Sequence, residues 1–324
     1  MKKYILTLLI SFIMPLELFA YSEYIIPGGE NIGITINSKG LTVVGFYKVN
    51  DKFIGKETLK VGDIITKING IDVESINEMS DLIANELENG KVSVTIERNN
   101  KEIETDLNVI KENNIYKTGL YIKEKINGVG TLTYIDPVTK IYGALGHEIT
   151  MNETNRIVEV RNGNIFASYV NSIDRSADGT VGSKNATIDF KSTLGTIKEN
   201  TKKGIFGNYQ VDLPNTETVK VARFNEINLG KAYIYTTVDG ENKEKFEIEI
   251  LKKDEKSIAT SKAISFKITD TKLLEETGGV VQGMSGSPIM QDDKIIGAVT
   301  HVVVDDVTKG YAIFIRTMLE EGEN

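Results

Sequence analysis

Residues 278–289 read Gly-Gly-Val-Val-Gln-Gly-Met-Ser-Gly-Ser-Pro-Ile and form the densest cluster of small residues in the chain. Glycines in such a cluster permit a strained backbone that approaches other groups closely. A serine nucleophile needs its hydroxyl on a tight turn, with backbone N–H groups aimed at the position where an oxyanion forms. We therefore predict that Ser285 is a nucleophile and that the N–H groups of Gly283 and Ser285 form an oxyanion hole.

A nucleophilic serine needs a base, and the chain offers two histidines, His147 and His301. His147 ends the apolar segment 141–146, where a strand would deliver its last side chain to a cleft, and we predict that it is the base. A buried structural role is the competing interpretation. His301 lies in a predicted buried strand, residues 294–302, which suits a wall of the substrate pocket. There it would make substrate preference depend on pH; it is also the alternative base.

The spacing of these residues distinguishes between serine-hydrolase folds. The α/β-hydrolase motif Gly-x-Ser-x-Gly is not matched, because position 287 is Ser, and that fold requires the order Ser, acid, His. Residues 283–288 instead resemble the Gly-Asp-Ser-Gly-Gly-Pro box of chymotrypsin-like peptidases, in which the base lies upstream as His147 does. Met284 replaces the Asp of that box, so activation through an ion pair with a new N-terminus is not expected.

The second half of the chain is rich in predicted strands. Short β-branched runs punctuated by glycine recur at residues 130–135, 187–190, 219–224, 232–238 and 246–251. No long amphipathic helix interrupts them. This pattern favours an all-β barrel or sandwich over a doubly wound α/β domain.

The first half of the chain carries a different pattern. Residues 59–70, Leu-Lys-Val-Gly-Asp-Ile-Ile-Thr-Lys-Ile-Asn-Gly, precede a capping box at Ser75, a helix predicted over residues 76–87 and a predicted hairpin. This order resembles a PDZ domain over residues 38–111. The resemblance implies that a peptide adds as a strand beside residues 41–44. The implied peptide-binding residues are Lys39, Gly40, Leu41 and Val43, although a lysine beside a turn glycine is often only solvated.

Three strings together with the PDZ-like part resemble the stage IV sporulation protein B (SpoIVB) peptidase family. They are Gly-Ala-Leu-Gly-His at 143–147, Thr-Gly-Gly-Val-Val-Gln-Gly-Met-Ser-Gly-Ser-Pro-Ile at 277–289 and Gly-Ala-Val-Thr-His-Val at 297–302. The resemblance covers nearly the whole chain and implies a catalytic set of His147, Asp270 and Ser285. Asp270 precedes a short helical pattern, so a helix N-cap is its structural alternative.

The resemblance also implies a biological setting. Members of this family are made in the forespore, act between the two forespore membranes, cleave themselves and cut a membrane-bound regulator of an intramembrane protease, which triggers sigma factor processing. The chain is accordingly predicted to be mainly β, with a PDZ domain (38–111), a linker (112–118) and a trypsin-like all-β barrel peptidase domain (119–324). The alternative is a catalytically inactive signalling adaptor that contains a PDZ domain.

The composition excludes several other classes of function. The net charge is −8, from 46 acidic and 38 basic side chains, which opposes attraction to phosphate backbones, so no nucleic-acid partner is expected. The absence of cysteine excludes thiolate nucleophiles, disulfides and cysteine-based metal sites. Two histidines far apart in the sequence do not make a metal centre unless the fold brings them together with carboxylates. We expect neither a metal nor a cofactor.

The N-terminal residues have the pattern of an export signal. Lys2 and Lys3 precede an apolar run over residues 4–16, and Leu18-Phe19-Ala20 follows Glu17. The run is shorter than a membrane-spanning helix requires. Residues 1–20 are therefore predicted either to be cleaved after Ala20 or to remain as a short membrane anchor, and both outcomes place the protein outside the cytoplasm. A buried helix of a cytoplasmic protein is the third interpretation, which the paired lysines disfavour.

Overall fold

The computed structural model describes residues 21–323 of the protein. The predicted export segment, residues 1–20, therefore lies outside the described residues. Within residues 21–323, every helix is too short or too polar to cross a bilayer. Strands dominate this part of the chain and build two antiparallel barrels and one smaller module.

The first barrel closes through six antiparallel strands. They pair in the order β2-β13-β14-β15-β10-β9 and back to β2. The strands are β2 (Asn31–Phe46), β9 (Leu120–Ile135), β10 (Ile141–Ala144), β13 (Val160–Asp174), β14 (Ser183–Thr201) and β15 (Gly204–Tyr209). Every second residue of a strand faces the same side, and Ile32, Ile34 and Ile36 of β2 accordingly pack in the barrel core.

The second barrel repeats this architecture. Its strands pair in the order β17-β18-β19-β22-β21-β20 and back to β17. They are β17 (Gly230–Thr237), β18 (Lys243–Lys253), β19 (Ile264–Ile268), β20 (Pro288–Gln291), β21 (Lys294–Val302) and β22 (Lys309–Phe314). Its core contains the fully buried Phe246 and Phe266. Two six-stranded barrels confirm the prediction of a trypsin-like fold.

Short elements connect the barrels and close their ends. Strand β1 (Tyr24–Pro27) pairs with β9 of the first barrel and with β16 (Val219–Val221), which pairs in turn with β21 of the second. The peptidase part also contains the helices α2 (Thr271–Thr277) and α3 (Ile315–Gly322). Strands β11 (Thr150–Met151) and β12 (Arg156–Ile157) form a small separate hairpin.

The PDZ module contains the predicted local structures. It comprises β3 (Ile64–Ile68), β4 (Ile71–Asp72), helix α1 (Ile76–Glu86), β5 (Lys91–Arg98) and β6 (Lys101–Asn108). Ser75 and Glu78 make the predicted capping box at the start of α1. Asn99 and Asn100 have φ of 52° and 59° in the turn of the β5–β6 hairpin, a left-handed conformation that asparagine tolerates.

The PDZ module and the first barrel share two strands. Residues 31–37 of β2 pair with β9 inside the barrel, whereas residues 42–46 of β2 pair with residues 120–123 of β9 inside the PDZ module, and the register breaks between these halves. Residues 21–37, which the sequence left unassigned, thus contribute β1 and half of β2 to the peptidase part. The predicted linker 112–118 lies in a hairpin of β7 (Ile110–Glu112) and β8 (Ile115–Lys117).

Candidate active site

A cavity of about 620 Å³ brings two of the predicted catalytic residues together. His147 and Ser285 both line it, with Gln282 and Gly283 beside the serine and β9 residues along one wall. His147 follows strand β10 of the first barrel, and Ser285 precedes strand β20 of the second. The cavity therefore lies where the two barrels meet.

A left-handed turn delivers His147 to this cavity. Leu145 and Gly146 have φ of 69° and 73°, so the chain turns sharply after β10. A Cβ at Gly146 would lie 2.8 Å from Thr300 Cγ2 and 3.0 Å from Ile313 Cγ2, both in the second barrel. The glycine thus allows the His147 turn to pack directly on the opposite barrel.

The His147 ring is oriented by a backbone carbonyl. Its Nδ1 lies 2.8 Å from the Glu148 carbonyl oxygen. A carbonyl can only accept a hydrogen bond, so Nδ1 must carry the proton. In the neutral ring Nε2 then carries the lone pair, which is the tautomer that a general base requires.

Ser285 rests with its hydroxyl turned to the second barrel. The Ser285 Oγ donates a hydrogen bond of 3.0 Å to the Thr300 carbonyl oxygen in β21. Among the contacts of residues 21–323, no hydrogen bond joins this hydroxyl to His147. A rotation about the Cα–Cβ bond is needed to direct the hydroxyl at the base.

The turn around Ser285 leaves a specific pair of N–H groups free. In residues 283–287, the N–H groups of Met284, Gly286 and Ser287 donate to the carbonyls of Val281, Val299 and Met284. The remaining two, those of Gly283 and Ser285, donate to no acceptor within the described residues. These are the two groups predicted to form the oxyanion hole, and both residues line the cavity.

Two buried threonines of β9 hold this turn, and the sequence analysis missed both. Thr131 Oγ1 donates to the Gly283 carbonyl at 2.7 Å, and Thr133 Oγ1 donates to the Gly286 carbonyl at 2.8 Å. The Thr131 N–H also donates to the Ser285 carbonyl at 3.0 Å. Their signal in the sequence is two polar residues at a spacing of two in the otherwise apolar stretch 128–135.

Met284 occupies the position at which the chymotrypsin-like box has an aspartate. Its side chain is fully buried in the apolar core of the second barrel. A carboxylate at this position would lie in a low-dielectric core. The turn is therefore held by threonine hydroxyls and apolar packing, in agreement with the expectation that an ion pair does not activate it.

Asp270 lies apart from the cavity. It is the N-cap of helix α2: its carboxylate accepts hydrogen bonds from the Leu273 N–H at 3.0 Å and the Glu247 N–H at 3.3 Å. In the second barrel, His301 of β21 pairs with Tyr311 of β22, and Tyr311 pairs in turn with Ser265 of β19. β19 continues for three residues beyond Ser265, roughly 10 Å at a rise of ~3.3 Å per residue, and Asp270 lies two residues past its end. This geometry corresponds to the N-cap alternative and does not support Asp270 as the orienting acid.

His301 lies beside the base and outside the residues that line the cavity. The ring centroids of His147 and His301 are 5.4 Å apart. Burial, and then the neighbouring His147, lowers the pKa of His301 to about 4. His301 is therefore uncharged at neutral pH, so any pH-dependent substrate preference arising from its titration would be confined to acid conditions.

The predicted peptide-binding edge of the PDZ module is paired on both sides. Leu41 and Thr42 pair with β3, and residues 42–46 pair antiparallel with residues 120–123 of the chain's own β9. Leu41 and Val43 are fully buried. In this structure β9 therefore occupies the position at which a peptide strand would add, and the binding of a peptide beside residues 41–44 stays a prediction.

The loop before this edge also contacts the chain itself. Gly40 has φ of 71°, and a Cβ there would lie 2.7 Å from Ile64 Cγ2. Lys39 Nζ is 3.8 Å from a carboxylate oxygen of Glu159 in the peptidase part, with both side chains largely exposed. Lys39 therefore has an acidic neighbour in the resting structure, and its predicted role toward a peptide carboxylate stays a prediction.

Comparisons with known proteins agree with this two-part organisation. The family model of the SpoIVB peptidase S55 matches residues 114–319, and a PDZ domain model matches residues 31–109. No curated protein matches the chain.

Solved structures with partial similarity include both parts. The PDZ domain of the SdrC-like protein from Listeria monocytogenes is 21% identical, covers 27% of this chain and 90% of its own, and has a TM-score of 0.23. The Rv3671c protease from M. tuberculosis in its active form is 15% identical, covers 60% of this chain and 74% of its own, and has a TM-score of 0.34. The family model spans more than half of the chain and includes both His147 and Ser285; the chain therefore belongs to the SpoIVB peptidase S55 family and is a serine peptidase with a PDZ domain.

Proposed function

We propose that the protein is an exported serine endopeptidase in which Ser285 is the nucleophile, His147 is the base, and the Gly283 and Ser285 N–H groups form the oxyanion hole. The observation that carries this proposal is the pair of free N–H groups, those of Ser285 itself and of Gly283, in the cavity that His147 also lines. An adaptor would have no chemical use for this combination.

The proposed reaction begins when the Ser285 hydroxyl leaves the Thr300 carbonyl and transfers its proton to His147 Nε2. The oxygen attacks the scissile carbonyl, and the two N–H groups stabilise the oxyanion of the tetrahedral intermediate. His147 then donates the proton to the leaving amine, and the acyl group remains on Ser285. A water molecule, deprotonated by His147, releases the second product and restores the hydroxyl.

The proposed role of the Glu148 carbonyl is to orient the base. An aspartate usually accepts the hydrogen bond from the Nδ1–H group in this mechanism, but here the Glu148 carbonyl accepts it. A neutral acceptor stabilises the imidazolium less than a carboxylate does, because charge-assisted hydrogen bonds are stronger. We therefore expect turnover slower than in enzymes with a buried aspartate.

The proposed biological substrates follow from the family. We infer that the protein acts in the space between the two forespore membranes, cleaves itself, and cuts a membrane-bound regulator of an intramembrane protease, so that a sigma factor precursor is processed. The lysines and apolar run of residues 1–20 support export, either with removal of this segment or with its retention as an anchor.

The PDZ module is proposed to regulate cleavage through β9. A peptide that adds to residues 41–44 must first displace residues 120–123, which now pair there. The same strand continues into the cavity wall, where Lys123, Lys125 and Gly128 lie. Displacement of its first half would therefore alter the wall of the substrate cleft.

The test is labelling of residues 21–324 by a rhodamine-linked fluorophosphonate, combined with observation of self-fragmentation. We expect wild type to label and fragment, and Ser285→Ala and His147→Ala to do neither. Ser287→Ala is the matched control, because Ser287 lies in the same turn and its buried Oγ has no hydrogen-bond partner in the described structure. Its labelling should equal that of wild type.

Two results would change the proposal. A folded wild type that neither labels nor fragments would favour the inactive adaptor, for which the Ser285–Thr300 hydrogen bond is the supporting observation. Asp270→Asn keeps a good N-cap residue but removes the acid. Its labelling should match wild type if Asp270 only caps α2, whereas a large loss would support the role that the family resemblance implies.

A further inference from the structure

A buried lysine lies directly beneath the turn that carries the proposed oxyanion hole. Lys184, the second residue of β14, is 4% exposed. Its Nζ donates to Thr236 Oγ1 at 2.9 Å and approaches Thr131 Oγ1 at 3.5 Å, and both threonines are fully buried. The side chain therefore crosses from the first barrel to a hydroxyl of the second.

Lys184 has no acidic partner within the described residues. The elements packed against it present uncharged groups: Thr131 from β9, Thr236 from β17, the Gly283 backbone, and Ile173, which pairs with it from β13. The nearest acid along β13 is the exposed Asp174, whose carboxylate accepts from the Ser183 hydroxyl at 3.3 Å. Burial alone lowers the pKa of Lys184 to about 7.

The lysine contacts the peptide unit that supplies one oxyanion N–H. The Lys184 N–H donates to the Gln282 carbonyl at 2.9 Å. That carbonyl and the Gly283 N–H belong to the same planar peptide unit, so holding the oxygen also aims the N–H. The lysine stem packs against Gly283, where a Cβ would lie 3.0 Å from Lys184 Cδ.

The Lys184 ammonium group also contacts this turn, through the hydroxyl of Thr131. Thr131 Oγ1 donates to the Gly283 carbonyl at 2.7 Å, so Nζ is two hydrogen bonds away from that oxygen. The backbone and side chain of Lys184 thus hold the peptide units on both sides of the Gly283 Cα.

We propose that Lys184 is a positioning residue that aims the Gly283 N–H at the oxyanion, by anchoring the 282–283 turn to the buried hydroxyls of Thr131 and Thr236. This role rests on the proposed function, because it presupposes that Ser285 reacts. Lys184 is not among the residues that line the cavity, so the role proposed for it involves no contact with the substrate.

Stability and reactivity should respond in opposite directions when the amine is removed. A buried cation without a counter-charge destabilises the fold, and methionine fills a similar volume without that cost. At neutral pH, Lys184→Met is therefore expected to raise the melting temperature. A residue needed only for packing would not behave in this way.

The pH dependence of stability follows from the lowered pKa. Between about pH 7 and the unfolded value near 10.4, the unfolded state binds more protons at this site than the folded state, so the lysine makes wild-type stability rise with pH. The stability gain in Lys184→Met should accordingly be largest at pH 7 and below, and should vanish above about pH 10.4.

The test measures the saturation kinetics of fluorophosphonate labelling in residues 21–324. The inactivation constant KI reports binding of the probe, and the maximal rate kinact reports phosphonylation, in which negative charge develops at the oxyanion hole. We expect Lys184→Met to lower kinact by about tenfold or more, with KI unchanged within about twofold, given that loss of a whole oxyanion donor costs roughly 100- to 1,000-fold. Lys191→Met, an exposed lysine of the same strand, is the matched control and should match wild type.

A second variant covers the case in which Lys184→Met does not fold. Thr236→Val removes the acceptor of the Nζ hydrogen bond in a similar shape, and it should lower kinact in the same direction. Labelling of Lys184→Met at the wild-type rate would overturn the positioning role alone. A fall in both melting temperature and kinact would also overturn it, in favour of a structural role. An unlabelled wild type would instead overturn the proposed function, and the positioning role with it.

Discussion

Gly286 shows how closely the two barrels approach behind the proposed nucleophile. Its φ is 95°, and a Cβ there would lie 2.1 Å from the Thr131 carbonyl oxygen and 2.5 Å from the Leu145 nitrogen. Both contacts are backbone atoms of the first barrel, which cannot move aside without shifting β9 or the His147 turn. A single glycine thus permits the contact that brings Ser285 and His147 into one cavity.

We therefore predict that Gly286→Ala abolishes fluorophosphonate labelling and destabilises the protein by about 2–4 kcal/mol, from the strained φ and the overlap. Gly128→Ala is the control: Gly128 also lines the cavity, but an added Cβ would meet nothing within 4 Å. Chemical denaturation and labelling of both variants check this. Equal labelling of the two variants would show that the close approach at Gly286 is not required.

Sequence reasoning at the residue scale worked where neighbours along the chain decide the outcome. Ser285, the two oxyanion N–H groups and His147 were predicted from local glycine patterns, and their positions in the cavity support that interpretation. Asp270 was assigned its acid role by family resemblance, yet the local N-cap signal describes its contacts. Lys184 escaped notice because its environment is set by Thr131 and Thr236, which are distant in sequence.

At the scale of elements, β9 is the strand on which both halves of the molecule depend. Leu120 is buried in the PDZ core, and Ile122 packs against the same core. Glu124 accepts a hydrogen bond of 2.5 Å from the Ile76 N–H at the start of α1, where a negative charge is favourable. Residues 120–124 therefore contact the PDZ module as a bound peptide strand would, although they belong to the same chain.

Weakening these contacts should open the PDZ edge. Ile122→Asp places a carboxylate against the apolar core, so residues 120–123 should separate from β2 and the amides of residues 41–46 should exchange faster. A synthetic peptide of residues 119–125, Gly-Leu-Tyr-Ile-Lys-Glu-Lys, should then bind at least about tenfold tighter than to wild type. Hydrogen exchange and fluorescence anisotropy are the measurements.

The control for this change is Tyr121→Asp. Tyr121 is adjacent on the same strand and 56% exposed, so the same charge there should leave the edge closed. If both variants bind the peptide as weakly as wild type, β9 does not limit access to the PDZ module.

The predictable and unpredictable elements differ in the range of their contacts. Helix α1 and the β5–β6 hairpin were predicted because a capping box and a left-handed Asn-Asn turn act within a few residues. The sharing of β2 and β9 was not predicted, because it depends on pairing between residues 31–46 and 120–131. The PDZ-like pattern begins near residue 38, so it did not indicate that residues 31–37 form a strand that closes the first barrel.

In the whole molecule, residues 47–119 form a PDZ body that is inserted in a hairpin of the first barrel. Phe46 pairs with Leu120, and the Tyr47 N–H donates to the Gly119 carbonyl at 2.9 Å, so the ends of residues 47–119 are adjacent. The region matched by the peptidase family model, residues 114–319, omits β2 and therefore one of the six barrel strands.

We predict that residues 114–323 alone do not fold, because β9 and β13 would each lose their pairing with β2 and leave an open barrel. A chain in which residues 47–119 are replaced by Asn-Gly should fold, since this dipeptide favours a tight hairpin turn. Circular dichroism and thermal unfolding distinguish the two. Cooperative unfolding of the fragment 114–323 would contradict the shared-strand architecture.

The adjacency of Tyr47 and Gly119 also bears on the order of folding. Joining β2 to β9 in a disordered chain would require closure of a long loop, whose entropic cost rises with its length. A PDZ body that folds first holds the two ends at hydrogen-bonding distance and removes most of that cost before the barrel forms. During synthesis the PDZ body emerges before β9, β10 and every later strand, so we expect it to fold first and to lower the entropic cost of closing the first barrel.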